Sequence, residues 1–382
     1  MNTPTELDVD ALVGNPRTRI VVCCGAGGVG KTTTAAALAL HAAEQHGRRT
    51  VVLTIDPARR LAQAMGLAEL DNVPRRVAEA DGELFAMMLD MKRTFDEVVL
   101  THTDAERAKE IFDNPFYQAM SSTFAGTQEY MAMEKLGQLR AADEWDLIVV
   151  DTPPSRSALD FLDAPKRMAR FLDGRVLRLL RSPARAGGLS VFTLVTASFG
   201  VVTKAMTKVL GSQLLTDISG FVAALDSLFG DFRQRADRTF KILQNQETAF
   251  IVVAVPEPDA LREAAYFAGR LAEEKMPLAG LVLNRVHRLA APDLSAERAM
   301  AGAETIMRTG GGGNLKNADT GTADGVNATA EVLRMHADMA MRVARERRLA
   351  EQFLTARPDV PVFEVPALPE DIHNLDALRS IC

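Results

Sequence analysis

The segment Gly25-Ala26-Gly27-Gly28-Val29-Gly30-Lys31-Thr32 constrains this chain more than any other. It follows the apolar, β-branched run Ile20 to Cys24 and opens an alanine-rich helical stretch that closes at Gly47. A glycine-rich loop between a strand and a helix is a P-loop, a cradle for phosphates. Its glycines let backbone N–H groups turn inward, and the helix N-terminus adds a favourable dipole. In such a loop Lys31 reaches the β and γ phosphates and Thr32 can ligate magnesium. With the next apolar run, Thr50 to Ile55, the segment makes a βαβ unit.

Similar short apolar runs recur at Leu84 to Leu89, Leu147 to Val150, Phe250 to Val255, Leu281 to Leu283 and Val362 to Val365. Continuous apolar runs of this length read as strands buried on both faces, so the expected class is α/β, a doubly wound and mostly parallel sheet of the P-loop NTPase type. The chain of 382 residues is long enough to carry an added subdomain. Residues 165–247 hold no convincing strand run and read as an inserted helical subdomain, leaving 18–164 and 248–380 as the P-loop domain. Residues 310–325, GGGGNLKNADTGTADG, read as a flexible loop between two charged helices.

A P-loop needs a carboxylate on a neighbouring strand for the metal. The run ending in Asp151 supplies it as a Walker B strand, so Thr32 and Asp151 are the expected magnesium ligands. Asp56, in Thr54-Ile55-Asp56-Pro57, ends the strand after the P-loop helix. It has two readings: orientation of the attacking water beside the γ-phosphate, or a helix N-cap ahead of Pro57, and the first is preferred because polar strand ends in such sheets face the ligand. Lys31 and Asp56 are thus the expected catalytic residues. The loop and the start of its helix, Gly25, Gly27, Gly28, Val29, Gly30, Lys31, Thr32 and Thr33, form the expected nucleotide-binding set.

The balance of the chain removes several classes. Lys and Arg number 44 against 50 Asp and Glu, a net charge of −6 that gives no chain-wide attraction to nucleic acid. No nucleic-acid partner is expected. The only three cysteines, Cys23, Cys24 and Cys382, cannot make a disulfide framework or a paired zinc site, which fits a reducing compartment. The N-terminal stretch is polar and acidic where a signal peptide would be basic and then apolar, so a cytoplasmic location is expected. In the helical middle, residues 186–203 are uncharged but too rich in Gly, Ser and Thr for a bilayer span, and the stripe Val191, Leu194, Val195, Val202, Met206 and Val209 fits either a core or an apolar groove. The basic, apolar-interleaved stretch 166–185 allows peripheral membrane contact at most, and more commonly marks a solvated face.

These elements together resemble the ArsA family of deviant P-loop ATPases, which includes the arsenite-pump ATPase and the ATPases that target tail-anchored membrane proteins. The resemblance covers switch I at Asp56-Pro57-Ala58, Gly126-Thr127-Gln128-Glu129 before a helix, switch II at Asp151-Thr152-Pro153-Pro154, Leu283-Asn284-Arg285, and Val365-Pro366-Ala367-Leu368-Pro369-Glu370. It implies that Asn284 reads the adenine amino group and that Pro366, Ala367 and Leu368 pack on the ring; on the residues alone Asn284 could equally be a strand-end turn residue. It implies magnesium-dependent ATP hydrolysis in targeting or chaperoning of a hydrophobic membrane-protein client. It also implies a homo- or hetero-oligomer, with a paralogous ATPase subunit as the expected partner. The alternative is a nucleotide-binding regulatory or partner subunit with low turnover of its own.

The chain departs from the family in places. Ala26 stands where the family has a signature lysine that reaches across to a partner's phosphates. Arg156 replaces a switch II glycine, and Arg59 and Arg60 replace switch I His and Ser; these are candidate substitute cations. The separated cysteine pair of the targeting branch is missing, as is a thiol cluster for arsenite, since Cys23 and Cys24 point to opposite faces of one strand. This argues against an arsenite pump.

Overall fold

The computed structural model describes residues 5–56, 60–114, 117–118, 127–153, 234–310 and 323–382. Eight strands form one sheet in the order β3-β4-β2-β5-β1-β6-β7-β8. They are β1 (Ile20–Cys24), β2 (Thr50–Thr54), β3 (Arg75–Arg76), β4 (Leu84–Met88), β5 (Leu147–Asp151), β6 (Thr248–Ala254), β7 (Leu278–Val286) and β8 (Val362–Pro366). All neighbours pair in parallel except the two-residue β3, which runs antiparallel to β4. The expected α/β class and parallel sheet are therefore present. β3 lacks any apolar run, and β7 is nine residues long where only Leu281 to Leu283 stood out, because its ends are half-exposed and its sequence there is mixed.

The central strands β1, β2 and β5 are buried at every position. Each is covered on both faces, and alternate side chains enter separate cores. Cys24 joins Ile20, Val22, Val150 and Phe250 on one face, under α4 (Met91–His102), α5 (Ala105–Asp113), α6 (Thr127–Ala142), α7 (Pro258–Glu273) and α9 (Ala323–Ala356). Cys23 joins Val21, Val149, Ile251 and Val253 on the other, under α1 (Val9–Gly14), α2 (Lys31–His46), α3 (Arg60–Ala64) and α10 (Leu375–Arg379). The two thiols thus lie on opposite faces, as the sequence required.

Helix α2 is buried almost all round, through Ala35, Ala36, Ala37, Leu38, Ala39, Leu40, Ala42 and Ala43. Its alanines let it lie close to the sheet while α1, α3 and α10 pack around it, and they have the strongest helix propensity. Gly47 ends it in a left-handed conformation (φ 60°). Behind this turn Arg48 is buried and donates to the carbonyls of Val13 (2.6 Å), Thr18 (2.6 Å) and Asp146. One guanidinium so ties α1, the entry to β1 and the entry to β5 together at the end of the sheet opposite the P-loop.

Beyond β7, α8 (Ala296–Gly310) and α9 pack as a hairpin. The helices extend into the stretch expected as a loop, through Gly310 on one side and from Ala323 on the other; residues 311–322 lie outside the described residues. Of the expected helical subdomain, residues 234–243 are helical, and 165–233, with the apolar stripe and the basic stretch, lie outside the described residues. No helix among the described residues is long and apolar enough to cross a membrane.

Candidate functional site

The loop 25–30 links the C-terminal end of β1 to the first turn of α2. Gly25 is buried with φ 149°, and a Cβ on it would land on the Val253 carbonyl oxygen at the end of β6. Gly30 caps α2 in a left-handed conformation (φ 97°), and a Cβ there would strike the Asn284 amide nitrogen. Only glycine fits at these two points. Gly27 and Gly28 are exposed, Val29 is buried, and Thr32 and Thr33 are half-buried on the opening turn of α2. The unpaired N–H groups of that turn face out of the strand ends, where an anion is favoured.

Lys31 is buried, and its Nζ donates to the Ala26 carbonyl across the loop (2.7 Å). Burial lowers its pKa, while the carboxylates of Asp151 and Asp56 act in the opposite sense. The loop lysine is therefore folded back onto its own loop, on a neutral carbonyl that a phosphate oxygen would outcompete.

Asp151 ends β5 and is fully buried. Its Oδ2 accepts hydrogen bonds from the hydroxyls of Thr32 (2.8 Å) and Thr54 (2.9 Å), while its buried Oδ1 has no hydrogen-bond partner among the described residues. Desolvation pushes its pKa up to about 6, against the two threonine bonds and the Lys31 charge, which pull it down. A carboxylate held dry, with one oxygen unpaired among the described residues, beside a threonine hydroxyl, is a hard-oxygen donor set, and this fits magnesium.

Thr54 was not singled out in the sequence, although it precedes Asp56 by two residues. It ends β2, donates to Asp151, and accepts the Asp56 backbone N–H (3.2 Å), so it joins the two acidic strand ends. Thr152 works similarly, donating through its hydroxyl to the Cys23 carbonyl (2.8 Å) and pinning the exit of β5 to β1. The only signal for Thr54 was a threonine close to a strand-end aspartate, whereas Thr152 lies in the switch II segment of the family resemblance. Asp56 is half-buried just past β2. Its charge raises the pKa of both Lys31 and Asp151. Residues 57–59, and with them Arg59 and the Pro57 of the N-cap reading, lie outside the described residues, as does Arg156; Arg60 is exposed at the start of α3.

Asn284 lies within β7, at an irregularity in the pairing with β8. Its Nδ2 donates to the Val29 carbonyl (2.9 Å) and its Oδ1 accepts the N–H of Arg285 (2.9 Å), which has a positive φ of 59°. It is thus neither a plain strand residue nor a turn residue past the strand end, but a bulge residue bonded to the P-loop. Pro366 is the last residue of β8 and pairs with Val286, and the Ala367 N–H donates to the Val286 carbonyl (2.9 Å). Leu368 follows, exposed. In the strand order, β2 and β5 carry the acids on one side of the P-loop strand, and β7 and β8 carry Asn284 and Pro366 on the other. The step from β1 to β8 is three strands, about 14 Å. All sequence-expected residues that are described line one edge of the sheet, at the C-terminal strand ends where α/β folds place ligands.

The chain matches the family model described as anion-transporting ATPase (ArsA) over residues 18–299. It is similar to "ATPase GET3B" of Arabidopsis thaliana, 24% identical over 315 residues, covering 74% of this chain and 68% of that protein. It is also similar to "ATPase GET3A" of the same plant, 23% identical over 378 residues, covering 98% and 86%. A third relative, "ATPase ARSA2" of Chlamydomonas reinhardtii, is 23% identical over 362 residues, covering 93% and 81%. With a P-loop, a buried strand-end aspartate and a mostly parallel sheet matched across most of its length, the chain belongs to the ArsA family of ATPases and is an ATP-hydrolysing enzyme.

Proposed function

We propose that this chain uses magnesium-dependent ATP hydrolysis to drive a conformational change in the targeting or chaperoning of a hydrophobic membrane-protein client, as a cytoplasmic oligomer. The observation that carries the reading is the dry Asp151 carboxylate, bonded to both the P-loop Thr32 and the switch-strand Thr54, with one oxygen unpaired among the described residues. Lys31 leaves the Ala26 carbonyl for the β and γ phosphates, and the N–H groups around Gly27 to Thr33 hold the phosphate oxygens. Thr32 and Asp151 would hold magnesium, and the bound ion would supply positive charge to offset that of the phosphates. Asp56, tied through its N–H to Thr54, accepts a hydrogen bond from the attacking water and orients it in line. Asn284 and the loop Pro366 to Leu368 receive adenine. The Asn284 amide exchanges its bond to Val29 for the base.

The targeting direction comes from the family resemblance; of the expected client region, 165–247, residues 165–233 lie outside the described residues. Ala26 favours a second reading, a nucleotide-binding partner subunit with low turnover of its own, because the family's lysine would be the cation acting in trans. Turnover separates the two readings. Asp56→Asn should retain ATP, lose hydrolysis and trap apolar clients, and normal hydrolysis in that variant would reject the role of Asp56. ATPase activity that appears only with a co-purifying paralogue would favour the partner-subunit reading.

A further inference from the structure

At the far end of α2 from the P-loop, three metal-ligating side chains converge without any part in the nucleotide site. His41 and His46 lie five residues apart on the last turns of α2, and Asp10 is brought to them by the first turn of α1. Both Nε2 atoms meet the same carboxylate oxygen, Asp10 Oδ1, at 2.8 Å from His41 and 2.9 Å from His46. The rings stand at 70° with centroids 5.7 Å apart, so they point inward at one locus without stacking. One ligand atom from each of the three residues lies within 4.8 Å of the others.

We propose that Asp10, His41 and His46 form a binding site for a divalent first-row transition-metal ion of the zinc class, joining α1 to the C-terminal end of the P-loop helix. Two imidazoles and one carboxylate are a borderline nitrogen and oxygen set, which suits zinc and not magnesium or calcium. Ligand atoms about 2.0–2.2 Å from a tetrahedral ion lie about 3.3 Å from each other. The present N–O separations need to open by only about half an ångström, within reach of small side-chain rotations about a shared centre. On binding, each imidazole carries its proton on Nδ1 and offers the Nε2 lone pair, and the ion takes the place of the two N–H bonds to Asp10.

The site is seated and also open. A Cβ on Gly14 would lie 2.5 Å from His46 Cε1 and 2.8 Å from its Nδ1, so the imidazole sits against the α1 backbone at Gly14 and a side chain there would push the ring aside. The side chains of His41 and His46 are 18% and 25% exposed while Asp10 is 67% exposed, which leaves the outward coordination position to water. By contrast, the cysteines that zinc could otherwise take are buried on separate faces of β1 or, for Cys382, half-buried at the C-terminus. The rise of the helix puts this locus about 15–22 Å from the phosphate end of α2.

The test uses the full chain, magnesium-free, with equilibrium dialysis against zinc and visible absorption with cobalt as the probe. One equivalent of zinc should bind saturably, and cobalt should show the intense visible bands of a four-coordinate ion. The double variant His41→Ala, His46→Ala should weaken zinc by more than about tenfold, the scale on which even outer-sphere partners act. His41→Gln and Asp10→Asn, which keep polar groups of similar size on the surface, should weaken it with the fold intact by circular dichroism. Gly14→Ala, which displaces the His46 ring without removing a ligand, should weaken it as well. Absence of saturable binding, or zinc uptake undiminished in the double variant and in His41→Gln, would overturn the proposal and leave these residues a hydrogen-bonded surface triad.

Discussion

Replacing Asp151 by Asn tests the idea that burial disfavours the charged form of this carboxyl. Desolvation lifts the folded pKa from 3.8 to about 6, and the residue is fully buried, so solvent does not dilute the effect. The native state therefore binds this proton more tightly than the unfolded chain does. Its contribution to stability is complete below the unfolded value near 3.8 and is lost as pH rises through about 6. The full span corresponds to about 3 kcal/mol. Integrated between about pH 5 and about pH 7.5, the loss is about 1.4 kcal/mol. Asn does not titrate, so Asp151→Asn removes this pH dependence while adding a constant offset from its own hydrogen bonding. Urea unfolding of both proteins, free of nucleotide and with divalent ions chelated, should show the wild type losing about 1.4 kcal/mol relative to the variant across that interval. A stability difference that is flat with pH would refute the reasoning, since it would mean that the carboxyl is hydrated or equally protonated in both states. The same dry carboxylate predicts that magnesium binding to the ATP complex releases a proton near pH 5 to 6, measurable by calorimetry in buffers of different ionisation enthalpy.

Thr54→Val removes one of the two donors to Asp151 and the acceptor of the Asp56 N–H, and should cost about 1–3 kcal/mol in thermal or urea unfolding. In steady-state assays it should lower turnover more than ATP affinity. Gly30→Ala should destabilise the protein in urea unfolding, because its Cβ strikes the Asn284 amide. Adding Asn284→Ala should restore part of that stability, with the strain of φ 97° remaining. Arg48→Met strands three carbonyls at the opposite end of the sheet and should cost about 3 kcal/mol or more by urea unfolding. Any protein that remains folded should bind ATP with unchanged affinity, because Arg48 lies away from the strand ends that carry the site.

The P-loop, its strand and helix, and the two strand-end aspartates could be located from the sequence because each is a local statement. A glycine pattern flanked by an apolar run and an alanine-rich stretch dictates strand, turn and helix within some 30 residues, and an aspartate after four apolar residues marks a strand terminus. The opposite facing of Cys23 and Cys24 followed from strand periodicity alone. Asn284 and the loop after Pro366 were reached only through family resemblance, since nothing in their own neighbourhood demands a base.

What the tertiary structure decided are the relations between segments distant in sequence. The strand order places β5 between β1 and β2, so Thr32, Thr54 and Asp151, separated by up to 119 residues, share one carboxylate oxygen. No periodicity encodes that meeting. The bulge in β7 turns the Asn284 amide onto the P-loop carbonyl of Val29, 255 residues away in sequence. Packing of α1 on α2 likewise gathers Asp10, His41 and His46, which are unremarkable in the sequence. Burial then sets the chemistry: the Asp151 carboxyl becomes a poor acid because the covered sheet excludes water, and how dry a strand end becomes depends on which elements close over it.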